Sequence, residues 1–228
     1  MVKNYLVAVD IGTQGTKTAL IEKDGTIVKT AFSPSHFHED ETGKIEQEPG
    51  EIYRSVIETI RQVVEYAGVQ KEKIGAIGVD GMMAGIIGLN GDGQAVTPYD
   101  SGLDKRCEQV IPKMQKMGGE RVTAICGCPI IVAQGAKMYW WKEKHPQVYR
   151  KVCKFVPISS YICGRLADLP VKDAYIDYTH IHLTCLADIE KNRWSDELIK
   201  LYGFDKNKLP RIIKPWEAIG YLTGEAPG

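Results

Sequence analysis

The segment Asp10-Ile11-Gly12-Thr13-Gln14-Gly15-Thr16-Lys17 gathers one carboxylate, two glycines, two hydroxyls and one lysine in a single short stretch. These are the groups that a magnesium-bound polyphosphate requires. Glycines at 12 and 15 let the backbone come close to another group. Backbone amides in a tight turn form an anion-binding concavity, and Thr13 and Thr16 add hydroxyl donors. Lys17 adds positive charge. Asp10 can hold magnesium through water, the mode this ion prefers. The same residues also suit an ordinary Gly/Thr hairpin entered by an aspartate. The segment is not a P-loop, because the Gly-Lys-Ser/Thr ending is absent and a strand pattern follows in place of a helix.

Other reactive side chains carry less. The six cysteines (107, 126, 128, 153, 163 and 185) are irregularly spaced, and Cys126-Gly-Cys128 is too tight for a usual zinc pair. They read as buried or idle thiols. His36/His38 and His180/His182 would each share a strand face. Neither pair has a second set of ligands nearby in sequence, so both read as ordinary polar residues.

The elements around the Asp10 segment follow from its flanks. Leu6-Val7-Ala8-Val9 is a short, β-branched apolar run and predicts a buried strand. Thr18 to Ile21 predicts a second strand, so residues 10–17 form a hairpin tip. Lys23-Asp24-Gly25 predicts another turn, and Thr26-Ile27-Val28 starts a third strand. Pro49 suits the first turn of a helix. Ile52, Val56, Ile60 and Val63/Val64 then recur at helical spacing until Gly68. Ile74 to Val79 predicts a strand, with Ile86 to Leu89 as its expected partner and Asn90-Gly91-Asp92-Gly93 as a turn. From about residue 104 the pattern is mainly helical, with breaks at Gly118-Gly119 and Cys128-Pro129. Lys137 to Lys144 predicts a helix ended by His145-Pro146. Ser159 and Ser195 are candidate caps. This is a mixed α/β pattern that opens on an antiparallel meander, so a purely parallel sheet is not expected.

The 228 residues are 43% hydrophobic and 25% charged, as in a globular protein. Basic and acidic residues balance at 29 each, which gives no electrostatic case for nucleic acid or an anionic membrane. No apolar run approaches the roughly 20 residues of a membrane span. Met1 to Asn4 leads straight into a strand pattern, so no signal peptide is expected and the cytoplasm is the simplest location.

Val7-Ala8-Val9-Asp10-Ile11-Gly12-Thr13-Gln14-Gly15-Thr16-Lys17 resembles the opening of the FGGY carbohydrate kinases, within the actin-like ATPase superfamily and its RNase H-like domains. The likeness continues in order along the chain. Gln47-Glu48-Pro49 resembles the family's Gln-x-Pro, and Ile74 to Gly81 its strand into the sugar site. Asp104-Lys105-Arg106 resembles Asp-x-Arg, and Lys137-Met138-Tyr139-Trp140 the Lys-x-x-Trp helix. Tyr161 to Leu166, Asp188 to Asp196, and Leu209 to Leu222 resemble later segments. The resemblance implies an RNase H-like α/β domain with a mixed sheet and a helical insertion. It also implies transfer of the γ-phosphate of ATP to a sugar or polyol. Asp10, Gly12, Thr13, Gly15, Thr16 and Lys17 would face ATP, with Mg2+ on Asp10. Asp80, Met82, Met83, Ala84, Asp104 and Arg106 would face the sugar.

The chain departs from the family in its sugar loop. Xylulokinase-like members have Gly-Gln-Met-His-Gly where this chain has Gly81-Met82-Met83-Ala84-Gly85. Ribulokinase-like members share an aspartate at the position of Asp80, which is expected to take over a hydroxyl contact. Met82 and Met83 equally suit core filling. Gly102 stands where a tryptophan usually precedes Asp-x-Arg, and Tyr99 is the expected replacement wall. Asp104 and Arg106 are expected to contact the sugar or organise its site; a solvated ion pair is the alternative. The family's catalytic base lies in a Gly-Asp motif expected beyond Gly228, so no catalytic residue is assigned. Residues 1–228 are thus expected to be an N-terminal kinase domain without its C-terminal partner. Alone it is expected to be inactive and to self-associate through the face its partner would cover. The competing expectations are a non-catalytic sugar- or nucleotide-binding protein, or another actin-like ATPase.

Overall fold

The computed structural model describes residues 4–222. The leader expectation at residues 1–3 and the segment 224–228 lie outside them. Three strands open the chain, β1 (Tyr5–Gly12), β2 (Gly15–Glu22) and β3 (Ile27–Pro34). They pair as the expected antiparallel meander. Short strands β4 (His38–Glu39) and β5 (Ile45–Gln47) lead into helix α1 (Pro49–Tyr66). Strand β6 (Ile74–Gly81) then returns parallel to β1, giving the mixed sheet order β3-β2-β1-β6. Strictly alternating burial in β1 places Val7, Val9 and Ile11 on one face. There they meet Ile52, Val56 and Val63 of α1, whose spacing makes one apolar stripe. The opposite sheet face is open and carries Leu6, Asp10, Lys17, Phe32 and Asp80, all exposed.

Strand β7 (Ile87–Leu89) does not pair with β6 as the sequence suggested. Its partner is the antiparallel β9 (Lys154–Val156), reached after β8 (Tyr99–Asp100) and helices α2 (Ile111–Cys126), α3 (Gln134–Lys144) and α4 (Pro146–Lys151). The chain between β6 and β7 turns away because Tyr99, fully buried, packs against Gly85. A Cβ on Gly85 would lie 2.2 Å from that ring. The Gly118 break is a kink inside α2 and does not end it; the helix stops at Gly127 in the left-handed conformation. Helix α5 (Ile158–Leu166) begins one residue before Ser159, so Ser159 does not cap it. Strands β10 (Tyr175–Asp177), β11 (Ala187–Asp188), β12 (Arg193–Trp194) and β13 (Arg211–Ile213) form two small ladders around α6 (Asp196–Tyr202). Ser195 caps α6 as expected, its Oγ accepting from Leu198 N. The α2, α3 and α6 helices bury a second apolar cluster around Met114, Val122, Tyr139 and Leu198.

Candidate active site

Strands β1 and β6 run parallel, so their C-terminal ends emerge together. Open α/β sheets hold ligands at that end. The β1–β2 hairpin tip and the 81–85 loop both start there, joined by Met82 N donating to Ile11 O at 3.0 Å. The ladder registers set Lys17, Asp10 and Asp80 side by side on β2, β1 and β6. Adjacent strands stand about 4.8 Å apart, so two carboxylates and one ammonium line up on the open face. Asp10 forms no salt bridge among the described residues. Asp80 Oδ1 accepts from its neighbour Gly81 N at 2.7 Å. Like charges directly opposite each other destabilise a sheet. A hard dication answered by oxygen ligands relieves that repulsion, so the donor set fits a magnesium-type cation. Asp80 therefore lies in the carboxylate row beside Asp10, at the entrance of the 81–85 loop, and not within that loop.

The two glycines of the hairpin tip are not equivalent. A Cβ on Gly15 would lie 2.3 Å from the Ser33 carbonyl and 2.6 Å from the Phe32 ring, so β3 alone forbids a side chain. A Cβ on Gly12 would meet nothing closer than 3.5 Å. We expect Gly15→Ala to destabilise the chain by about 1–3 kcal/mol through overpacking, and Gly12→Ala to fold normally. Urea denaturation of the two variants checks this. Equal loss in both would contradict it.

Thr16 is corrected by the structure. Its side chain is buried beneath the sheet, with Oγ1 2.7 Å from Ser55 Oγ of α1. Thr18 does the same, donating to Thr59 Oγ1 at 2.7 Å. Thr13 remains exposed at the tip and is the one threonine there that presents a hydroxyl outward.

The 81–85 loop is held from behind. Tyr99 OH donates to Met82 O at 3.3 Å, so Tyr99 is a buried support and not the exposed wall expected of it. The Cβ position of Gly102 lies 3.2 Å from Ala84 Cβ. With this backbone, a side chain at 102 would crowd Ala84. Met83 is the exposed member of the loop, while Met82 and Ala84 are half-buried.

Asp104 is buried and fully engaged. Its carboxylate accepts from Arg106 Nε and Nη2 (2.6 Å to Oδ2), from Arg106 N and from Ile45 N. Arg106 Nη2 also donates to Glu46 Oε1 at 2.5 Å, and its guanidinium lies 4.8 Å from the Trp140 ring centre. Lys137, fully buried on α3, donates to Asp104 O at 2.9 Å. Asp104 and Arg106 thus tie β5 to α3 through a buried network; they are not a solvated pair.

Asp100 extends this network and was not singled out from sequence. It accepts from Trp141 Nε1 at 3.0 Å and from Ile86 N at 3.1 Å. Burial pushes its carboxyl up to about 6, against the pull of Lys137. A folded value raised above the ordinary 3.8 means that its contribution is present below pH 4 and lost as pH rises through 6. Wild type should therefore gain on the order of 3 kcal/mol relative to Asp100→Asn between pH 7 and pH 4. Denaturant midpoints at those two pH values measure this, and a pH-independent difference would contradict it.

Sequence passed over Gln134 and read His180 as an ordinary polar residue of a strand, whereas it opens a short helical turn. Gln134 is the first residue of the wholly buried stretch of α3, and His180 is 3% exposed. The signal that was available is a lone glutamine and lysine in the apolar run Val132 to Trp141.

The family model described as the FGGY family of carbohydrate kinases, N-terminal domain, matches residues 5–227. The chain belongs to the FGGY family of carbohydrate kinases. As an FGGY domain it is 23% identical to a xylulose kinase of Bacillus subtilis (strain 168), over 96% of this chain and 43% of that protein. It is 28% identical to a glycerol kinase of Xanthobacter autotrophicus, over 91% of this chain and 43% of the relative. A solved xylulose kinase from Rhodospirillum rubrum has the same fold, with a TM-score of 0.89 at 20% identity, covering 97% of this chain and 45% of that one. The FGGY domain thus spans less than half the length of the curated relatives it matches. Kinase relatives imply ATP use and a divalent cation. No helix among the described residues is long and apolar enough to cross a membrane.

Proposed function

We propose that this chain is the phosphate- and sugar-facing half of an ATP-dependent carbohydrate kinase acting in the cytoplasm. The reaction moves the γ-phosphoryl group of ATP to a hydroxyl of a small sugar or polyol. The relatives' names cover xylulose, gluconate and glycerol; the choice among them is left open by an apolar loop. One observation carries the reading. Asp10 and Asp80 stand in register on the open sheet face, directly beside the loop that would receive the sugar.

Positioning and charge neutralisation account for most of phosphoryl-transfer catalysis. When bound, Mg2+·ATP supplies the transferable phosphoryl group and part of the neutralising charge. Asp10 holds the cation, through water as magnesium favours. The amides of the 12–15 turn and the Thr13 hydroxyl face the phosphates, and Lys17 adds a positive charge from β2. Met82, Met83 and Ala84 line the acceptor side. Asp104 and Arg106 brace the segment after Tyr99, whose hydroxyl holds that loop. The base that takes the hydroxyl proton is assigned to no residue of this chain and is expected from the second half that the relatives carry. Exposed Leu6, Val28 and Phe32 on the open face support contact with such a second domain, or self-association in its absence.

Equilibrium binding tests the reading. The chain should bind ATP only when Mg2+ is present, and should bind at least one of glycerol, gluconate, xylitol or xylulose. Metal-independent ATP binding, or none, would refute the phosphate half; no response to any acceptor would refute the sugar half.

A further inference from the structure

The 81–85 loop offers a sugar no polar side chain between Met82 and Ala84. Polar groups do reach it, from two distant elements. Gln134 Nε2 donates to Met83 O at 2.7 Å and lies 3.2 Å from His180 Nδ1. The carbonyl of Met83 can only accept, so the amide nitrogen must face it, which fixes the orientation of the Gln134 amide. Nδ1 of His180 then meets an N–H donor and must itself accept. The ring is therefore neutral, with its proton on Nε2. Burial lowers the pKa of His180, in keeping with that state. Asp177, Asp80 and His182 are the charged or titratable groups around the ring.

This arrangement leaves Gln134 Oε1 buried with no hydrogen-bond partner among the described residues. A buried acceptor left unmatched costs about 1–3 kcal/mol. A hydroxyl donor that reaches this oxygen would offset that cost. An amide oxygen attached to the loop's own clamp is matched by a hydroxyl, which is what the acceptor substrate carries.

We propose that Gln134, oriented by His180, is a specificity-determining residue that accepts a hydrogen bond from a hydroxyl of the bound sugar or polyol. It supplies from helix α3 the polar recognition that the Met82-Met83-Ala84 loop lacks. A site built to pair a hydroxyl rejects ligands that do not present one there, because its own polar group is then stranded. This inference rests on the proposed function above.

The test uses the full chain, 15N-labelled, titrated with glycerol, xylitol and ribitol. The side-chain NH2 signals of Gln134 and the amides of residues 82–84 should shift together. Calorimetry of Gln134→Met should show at least tenfold weaker binding of the preferred polyol and loss of the preference between xylitol and ribitol. His180→Asn keeps an acceptor toward Gln134 and should retain that preference, whereas His180→Phe should not. Should Gln134→Met fail to fold, the side-chain signals and the two His180 variants still decide. Shifts at 82–84 without any at Gln134, or unchanged affinity and preference in a folded Gln134→Met, would overturn the inference and leave the proposed function standing. The absence of any polyol response at 82–84 would overturn both.

Discussion

Asp104→Ala is expected to lower the free energy of unfolding by about 3–5 kcal/mol, the usual consequence of removing one member of a buried charge pair. The effect comes mostly from what is left behind. Arg106 would keep a half-buried guanidinium with only Glu46 as a partner, and the amide of Ile45 would lose its acceptor. Stability of natural domains is typically 5–15 kcal/mol, so this single change removes a large share. Asp104→Asn keeps the shape and one acceptor and should cost less. Urea midpoints for the two variants measure the difference. A loss under about 1 kcal/mol in Asp104→Ala would mean that the pair behaves as a surface ion pair and does not anchor β5 to the segment after β8.

Asp10→Asn is expected to abolish Mg2+-dependent ATP binding while leaving the fold intact. The two halves of that statement have separate physical causes. Asp10 is exposed and forms no salt bridge among the described residues, so its charge contributes nothing to packing. It stands between Lys17 and Asp80, so removing its charge loses one cross-strand attraction and one repulsion and should change stability by less than about 1 kcal/mol. Affinity should fall by about a hundredfold or more, since each 1.4 kcal/mol of lost cation and phosphate attraction is tenfold. Calorimetry with ATP, with and without Mg2+, gives the affinity, and thermal unfolding gives the stability. A variant that binds as wild type does would remove Asp10 from the site.

Much of the fold could be read directly because its signals are local. The β-branched run Leu6 to Val9, the turn glycines and the spacing of Ile52, Val56 and Val63 each act within a few residues. They yield the meander and α1 correctly. The pairing of Ile87–Leu89 was misjudged because proximity in sequence suggested a hairpin with β6. The true partner, Lys154–Val156, is more than sixty residues away. The site divides in the same manner. Asp10, Gly12, Thr13, Gly15 and Lys17 are proposed from local composition. The burial of Thr16 depended on which sheet face α1 would cover. The network of Glu46, Asp100, Asp104, Arg106, Lys137 and Trp141 is assembled from β5, β8, the segment after it and α3. No local pattern announces such contacts. The pairing of Gln134 with Met83 and His180 is of the same kind, since three separate elements must meet before the contact exists.

The most direct test of the account is an amide NMR titration of the chain with Mg2+·pyrophosphate, which needs no adenosine pocket. The signals of residues 12–17 should shift together and saturably, only with the metal present, and should stay still in Asp10→Asn. Shifts confined to other parts of the molecule, or identical in the variant, would contradict a phosphate-gripping β1–β2 tip.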